Sequence, residues 1–580
     1  MHLLTVLSLL SPLVFVGGVN VVRKVERDTH KGRLQGNLVA LGIPGLPKVE
    51  VYLGVPYGVP PERDKRFMPP QSNPGWQHIK MATSFRPVCL QNLPDISNEK
   101  AALSRMPRRR YLYLKRLAPY LKTQSENCLF MNLYVPRTNG PARSGPLAVL
   151  VLVHGESFEW DSGNAYDGTV LASHGQIIVV TLNYRLGPLG FLSTGQDDDR
   201  LVRGNFALTD VIEALETLRT ILPDFGGDRN RITLLGVHHG AAIVHLLMAS
   251  HFSLAEDVQK FHRAILLGGS AFSNWAITQT PNQYFYLFAQ KLGCETRRNG
   301  AELRSTTQVF NCIKEQSVEN LTLAQSRMPK PEFLSTWGPV VDGVTVNKRI
   351  QTHLEEHQAY FHRYDMLIGL TQAPAFRHFP QDYIQNGMLA SERELVLRTL
   401  VRNLYRFHRG LILDAVRNHY TDWTNPQMHE GTIRRQTIQA LSDCLYTAPL
   451  LRAARIHARR EVYSSQSTGT YMYLFAGNQL DGYETVSTED LPYILGYPLL
   501  SPGMLNVPHE LNYTHADRPL SEVLMIYMSN FVKSGNPNQP DEFTQSRFLT
   551  QDTTIRDRYQ LVSPWPRFVS ARGKEQYLVI

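Results

Sequence analysis

Between Leu234 and Leu247 the chain reads LLGVHHGAAIVHLL. An apolar strand-like run, Ile232 to Leu235, meets Gly236, and a helical run starts near Gly240. Two glycines bracketing three residues make the sharp strand-to-helix turn on which a nucleophilic serine is mounted for acyl transfer. Here the middle residue is His238. An imidazole can act as a nucleophile, but a side chain of different length moves the reacting atom. It also lacks the hydroxyl that forms an acyl-enzyme ester. His154, His239 and His245 invite a metal instead, yet adjacent histidines on a tight turn rarely point at one site. No carboxylate cluster lies nearby, so no metal and no cofactor are expected. Gly236 and Gly240 keep a purpose of their own, since the turn and the close approach of helix to strand both need them.

Placing such a turn requires a sheet and a helix behind it. Near-continuous apolar runs recur at Leu147 to Gly155, Ile177 to Arg185, Arg231 to Gly236, Ala264 to Ser270, Tyr364 to Gly369 and Tyr471 to Ala476, with a last one in the terminal QYLVI. Runs of this kind suit strands covered on both faces. Ala207 to Leu222 places apolar residues at helical spacing, and strands alternating with helices predict a mostly parallel mixed sheet with helices on both faces. A basic amphipathic pattern runs from Ser391 to about Arg417, with Ser391-Glu392-Arg393-Glu394 as a capping box and Gly410 as a possible break. Arg434 to Arg460 is helical for much of its length. There is no internal repeat and no long linker, so residues 19–580 read as one large domain with insertions.

Residues 1–18 have the length and order of a secretory signal peptide: an apolar run from Leu3 to Val16, then Gly17 and Gly18. No other run reaches the ~18 residues that span a bilayer. In an oxidising compartment, proximity along the chain favours the bridges Cys89–Cys128 and Cys294–Cys312 and leaves Cys444 over, although four cysteines allow three pairings. Asn320 and Asn512 head glycosylation sequons. The net charge of +9 is concentrated between Arg105 and Lys122. That run is either a solvated face or a site for a polyanionic glycan; outside the cell, nucleic acid is not an expected partner.

Four segments then occur in order: YLGVPYGVPPERDKRF (Tyr52 to Phe67), SENCLFMNLYVP (Ser125 to Pro136), NYRLGPLGFLSTG (Asn183 to Gly195) and FGGDRNRITLLGVHHGAA (Phe225 to Ala242). They resemble the type-B carboxylesterase and cholinesterase family, which has the α/β-hydrolase fold. LSTWGPVVDG, NHYTDWTNP, EDLPYILGYPL and IYMSNFVKSGNPNQP narrow the resemblance to the neuroligins, with gliotactin and other cholinesterase-like adhesion molecules as neighbours. The resemblance implies where catalytic groups would sit. His238 stands at the nucleophile position, Pro374 at the acid position and Ser487 at the base position. The oxyanion glycine run is His154-Gly155-Glu156-Ser157, with Glu156 and Ser157 replacing glycines. Glu355 and Glu356 lie too far upstream to substitute for the acid. Three lost triad side chains leave nothing for a neighbour to repair, so the expectation is a pseudo-hydrolase and not an enzyme. A carboxylesterase with a rearranged site and a secreted carrier of a hydrophobic ligand are the alternatives.

The resemblance also implies heterophilic adhesion at the cell surface, with a neurexin-like protein as partner. The family's contact segment matches Gln358 to Asp365. Gln358 and Asp365 fit the pattern, whereas Tyr360 replaces an acidic residue and His362-Arg363 a Leu-Asn pair. A cation there is unfavourable beside a partner's calcium ion. A homodimer through a four-helix bundle is implied as well, one helix contribution coming from Ser391 to Arg417 and another from beyond the final strand. A transmembrane segment after Ile580 would make this a type I membrane protein; without one it would be secreted.

Overall fold

The computed structural model describes residues 20–137, 145–195, 201–250, 259–294, 297–298, 301–302, 305–347, 361–424, 429–459, 468–476, 489–501, 504, 507–509, 513–538, 563–569 and 575–580. The signal-peptide region, Gln358, Tyr360, Ser487 and Asn512 lie outside these residues.

One sheet organises them. Its strands are β1 (Asn20–Thr29), β2 (Gly32–Ala40), β3 (Val49–Pro56), β4 (Lys80–Met81), β5 (Phe130–Pro136), β6 (Leu147–Val153), β7 (Ile178–Leu182), β8 (Gly227–Val237), β9 (Arg263–Leu267), β10 (Asp365–Thr371), β11 (Thr470–Phe475) and β12 (Leu578–Val579). They lie in the order β1-β2-β3-β5-β7-β6-β8-β9-β10-β11-β12, with β4 beside β2. Pairing is antiparallel from β1 to β7 and parallel from β7 to β12. This is the α/β-hydrolase arrangement expected of the chain.

The centre of the sheet follows from composition. All seven residues of β6, LAVLVLV, are buried. Alternate side chains point to opposite faces. Leu147, Val149, Val151 and Val153 join one apolar cluster, which also takes Leu208, Val211 and Leu215 of a helix at Phe206–Ile221. Ala148, Leu150 and Leu152 join the other, with Leu524, Met528 and Phe531 of a helix at Asp517–Ser534. Each face of the sheet is therefore sealed by its own helices.

Elsewhere the boundaries move. The helix expected from Ser391 begins at Ala390, and it is Leu389 whose backbone N–H donates to the Glu392 carboxylate at 2.8 Å. Ser391 lies inside the first turn and does not cap. The helix ends at Leu404, ahead of Gly410, and His408 at φ 53° opens the next helix, Arg409–His419. The basic run folds as a helix at Arg108–Leu117 that buries Tyr111, Leu114 and Leu117. Cys89 is bonded to Cys128 and Cys294 to Cys312. Cys444 is a half-buried thiol whose pKa burial pushes up.

Candidate functional site

The β8 strand runs straight into a helix, here α1, His239–Met248, and His238 is the hinge between them. Its backbone has φ 50° and ψ −110°, a conformation that non-glycine residues rarely adopt. The surroundings hold it there. The His238 N–H donates to the Leu267 carbonyl at 2.8 Å. A Cβ on Gly240 would lie 2.1 Å from the Val153 carbonyl oxygen, and one on Gly236 2.4 Å from the Ala241 Cα. The elbow therefore exists only because both positions lack a side chain.

The loop after β6, expected from the resemblance at the oxyanion position, is also strained. Ser157 and Phe158 both have φ 57°, a left-handed geometry suited to glycine. Its donor, however, is taken. The Ser157 backbone N–H donates to Nδ1 of His239 at 3.1 Å. That bond fixes His239 as a neutral imidazole with its proton on Nε2. The ring is wedged between Phe158 and Trp275, with centroids 4.7 and 4.3 Å away. His238 is also buried and neutral. Burial lowers its pKa to about 4, with help from the Arg110 charge and against a backbone hydrogen bond to Gly268.

Glu156 is drawn into an ion cluster. An Arg377 guanidinium nitrogen bonds one Glu156 carboxylate oxygen, and Arg110 of the basic helix approaches the same oxygen at 3.6 Å. All three side chains are largely buried. Burial lowers the pKa of Arg110 to about 10, and burial together with the Arg110 charge lowers that of Arg377 to about 9, so both stay protonated at neutral pH. Arg110 also lies 5.7 Å from the Trp160 ring centroid. Glu156 is thus neutralised. Pro374 opens a short 3₁₀ turn, Pro374–His378, and is buried. His378 shares a 2.8 Å hydrogen bond with the Tyr446 hydroxyl, and burial holds its pKa well below the ordinary value.

The structure brings His238, Glu156, Ser157 and Pro374 to the ends of β6, β8 and β10, with Arg110, Arg377 and His378 added. Sequence reading passed over these three. Arg110 is hidden in a run that reads as solvated, and only the closeness of Arg377 and His378 to Pro374 could have marked them. Behind the cluster, Asp161 accepts from the Tyr166 hydroxyl at 2.7 Å and burial raises its pKa to about 7. His154, 3.9 Å from Asp161, stacks on Tyr184, and burial lowers its pKa to about 3. Among the described residues no group of three or more His, Cys, Asp or Glu is arranged to hold a metal ion.

The segment expected to meet a partner fares differently. His362 is buried at 2% exposure, so it cannot present its ring to another protein in this conformation. Asp365 begins β10, where it pairs with Arg263 at 3.3 Å and accepts the Gly469 N–H at 2.9 Å. Of the three described candidates only Arg363 is exposed. Charges of the basic run are largely engaged within the molecule: Arg108 with Glu99, Arg109 with Glu489, and Arg116 on the Pro508 carbonyl. Asn320 is exposed in the first turn of a helix at Val318–Ser326.

Residues 23–580 match the carboxylesterase family. Neuroligin-1 of Caenorhabditis elegans is 38% identical over 565 residues, covering 95% of this chain and 69% of the relative. Neuroligin-2 of Mus musculus is 34% identical over 600 residues, with 98% and 66% covered. Neuroligin-3 of Mus musculus is 34% identical over 575 residues, with 93% and 64% covered. The chain spans about two thirds of the length of these relatives. With the hydrolase sheet and elbow in place, the chain belongs to the carboxylesterase family as a neuroligin-like, cholinesterase-like member.

Proposed function

We propose that this chain is the non-catalytic, cholinesterase-like extracellular domain of a cell-surface adhesion protein that works by binding another protein. The observation that carries this reading is the state of the elbow. His238 occupies the nucleophile position, and the Ser157 N–H, which would receive an oxyanion, already donates to His239. Acyl transfer needs a nucleophile, a base and free donors together. A hydrolase scaffold retained without them suits recognition, and the neuroligin resemblance supplies the adhesion role and a neurexin-like partner. Exposed Leu395 and Leu411 on the helices Ala390–Leu404 and Arg409–His419, with Phe407 in the connection between them, support self-association through that face.

The test is hydrolysis of p-nitrophenyl acetate by the purified domain. Wild type and His238→Ala run at the buffer rate, and His238→Ser gains no turnover, because a serine alone restores neither base nor donor. Wild-type turnover that His238→Ala abolishes, or labelling of a serine beside the elbow by a fluorophosphonate probe, would make the chain a carboxylesterase.

A further inference from the structure

The charges of the ion cluster over the elbow do not balance. Arg110 reaches it from the Arg108–Leu117 helix, Arg377 from the turn after β10 and Glu156 from the loop after β6. Two protonated guanidinium groups thus share one carboxylate, and both approach the same oxygen of it, Oε2. Arg377 donates to that oxygen, whereas Arg110 stops at 3.6 Å, beyond hydrogen-bonding distance. Among the described residues the Arg110 guanidinium has no hydrogen-bond acceptor; its other neighbour is the Trp160 ring, 5.7 Å away at the centroid. The remaining groups supply no second negative charge. His238, His239 and His378 are buried neutral rings, and the Tyr446 hydroxyl is bonded to Nε2 of His378. Acids of the neighbouring segments are engaged elsewhere: Glu159 with Lys330, Glu489 with Arg109, and Asp161 with the Tyr166 hydroxyl and the Ser162 N–H. Arg110 keeps 19% of its side chain exposed and Arg377 11%, so small solutes reach both.

We propose that Arg110 and Arg377 form a binding site for a small monocarboxylate, held by the two guanidinium forks beside Glu156. The charge count sets the valence. One negative charge makes the cluster neutral, whereas a sulfate or phosphate dianion would leave excess negative charge buried against Glu156. The planar forks set the shape, because parallel N–H donors match the two oxygens of a carboxylate better than a spherical halide. Each guanidinium has five N–H donors, and Glu156 occupies one edge of Arg377 and none of Arg110 within hydrogen-bonding distance. Trp160, Tyr446 and the neutral His378 ring border the pair and suit the hydrocarbon part of such a ligand. Glu156 is a built-in competitor, since its own carboxylate already takes part of the positive charge. The site involves no bond making or breaking and stands apart from the adhesion reading.

The experiment titrates isotope-labelled acetate into the purified chain, in chloride buffer at neutral pH and fixed ionic strength, and follows the NMR line width of the acetate. The line broadens with wild-type protein, and unlabelled butyrate restores it while sulfate does not. Arg110→Gln lowers the acetate affinity about tenfold, because a charged hydrogen-bonding fork is lost. Glu156→Gln raises it about tenfold, because the competing carboxylate is gone. Arg108→Gln, on the same helix but paired with Glu99 at the surface, leaves it unchanged. Melting curves confirm that each variant is folded. If Arg110→Gln does not fold, Glu156→Gln still decides, and an affinity left unchanged by it overturns the proposal. No broadening with the wild type, or equal broadening with Arg110→Gln, overturns it as well. Displacement by sulfate as readily as by butyrate replaces the monocarboxylate site with unselective attraction of anions.

Discussion

At the level of single residues, the side chains around the elbow hold one another. Glu156, Arg377 and Arg110 are the centre of that set. Removing one partner of a buried ion pair strands the other charge, at about 3–5 kcal/mol. Arg377→Met should therefore destabilise the domain by about 3 kcal/mol in urea unfolding. A paired Glu156→Gln/Arg377→Met change should cost less than the sum of its parts; additive costs would show that the pair is not coupled. Ser157 tests the inherited backbone: Ser157→Gly relieves a left-handed residue and should be neutral or stabilising by up to about 1 kcal/mol. Gly240→Ala, by contrast, drives a methyl into the Val153 carbonyl and should cost about 4 kcal/mol or prevent folding, seen as loss of secreted protein.

Acid acts on the same interior. Burial lowers the pKa values of His154, His245 and His457 to about 3 and that of His238 to about 4. In the unfolded chain each would titrate near about 6.5. Below that pH the unfolded state binds protons that the folded state refuses, so stability is lost as pH falls from about 6.5 towards 4. Asp161, raised to about 7, has the opposite sign, since its contribution falls as pH rises through that value. Burial also raises Asp167, Glu213, Asp365 and Asp490 and lowers His239, His262, His378 and His509, so among the described residues eight histidines outweigh five carboxyls. Melting temperature should drop between pH 6.5 and 4.5 at constant ionic strength, and a flat profile would refute this account of the buried rings.

Among the elements, legibility followed burial. The runs that became β6 to β12 are apolar on both faces and could be read as strands. The antiparallel strands β1, β2, β3 and β5 were not read. NVVRKVERDT in β1 mixes charge with valine because much of the strand faces water, and its partner in space is what makes it a strand. The capping of the Ala390–Leu404 helix was misplaced by two residues, because Glu392 serves the Leu389 N–H in place of the serine that precedes it. The elbow itself was legible from Gly236 and Gly240, but not the ion cluster, since nothing in a run such as Arg108-Arg109-Arg110 says which guanidinium turns inward. The helices at Ala390–Leu404 and Arg409–His419 carry a prediction of their own. Leu395, Phe407 and Leu411 are 66%, 77% and 72% exposed. If that face joins two copies, Leu395→Asp/Leu411→Asp shifts sedimentation towards monomer without lowering the melting temperature. An unchanged sedimentation coefficient would remove this face from self-association.

For the whole molecule, one sheet runs from antiparallel strands at β1 to parallel strands at β12. The C-terminal ends of β6, β8 and β10 bring Glu156, His238 and Pro374 together, over a sheet whose two faces are each sealed by helices. The Cys89–Cys128 bond spans 39 residues, and the helix bearing Arg110 lies inside the loop it closes. Closure restricts how far that helix can move from Cys128 and the strand that follows it, so Arg110 stays within a shorter reach of Glu156 than in the reduced chain. A transient separation of Arg110 from Glu156 should therefore reclose sooner in the oxidised protein than after reduction.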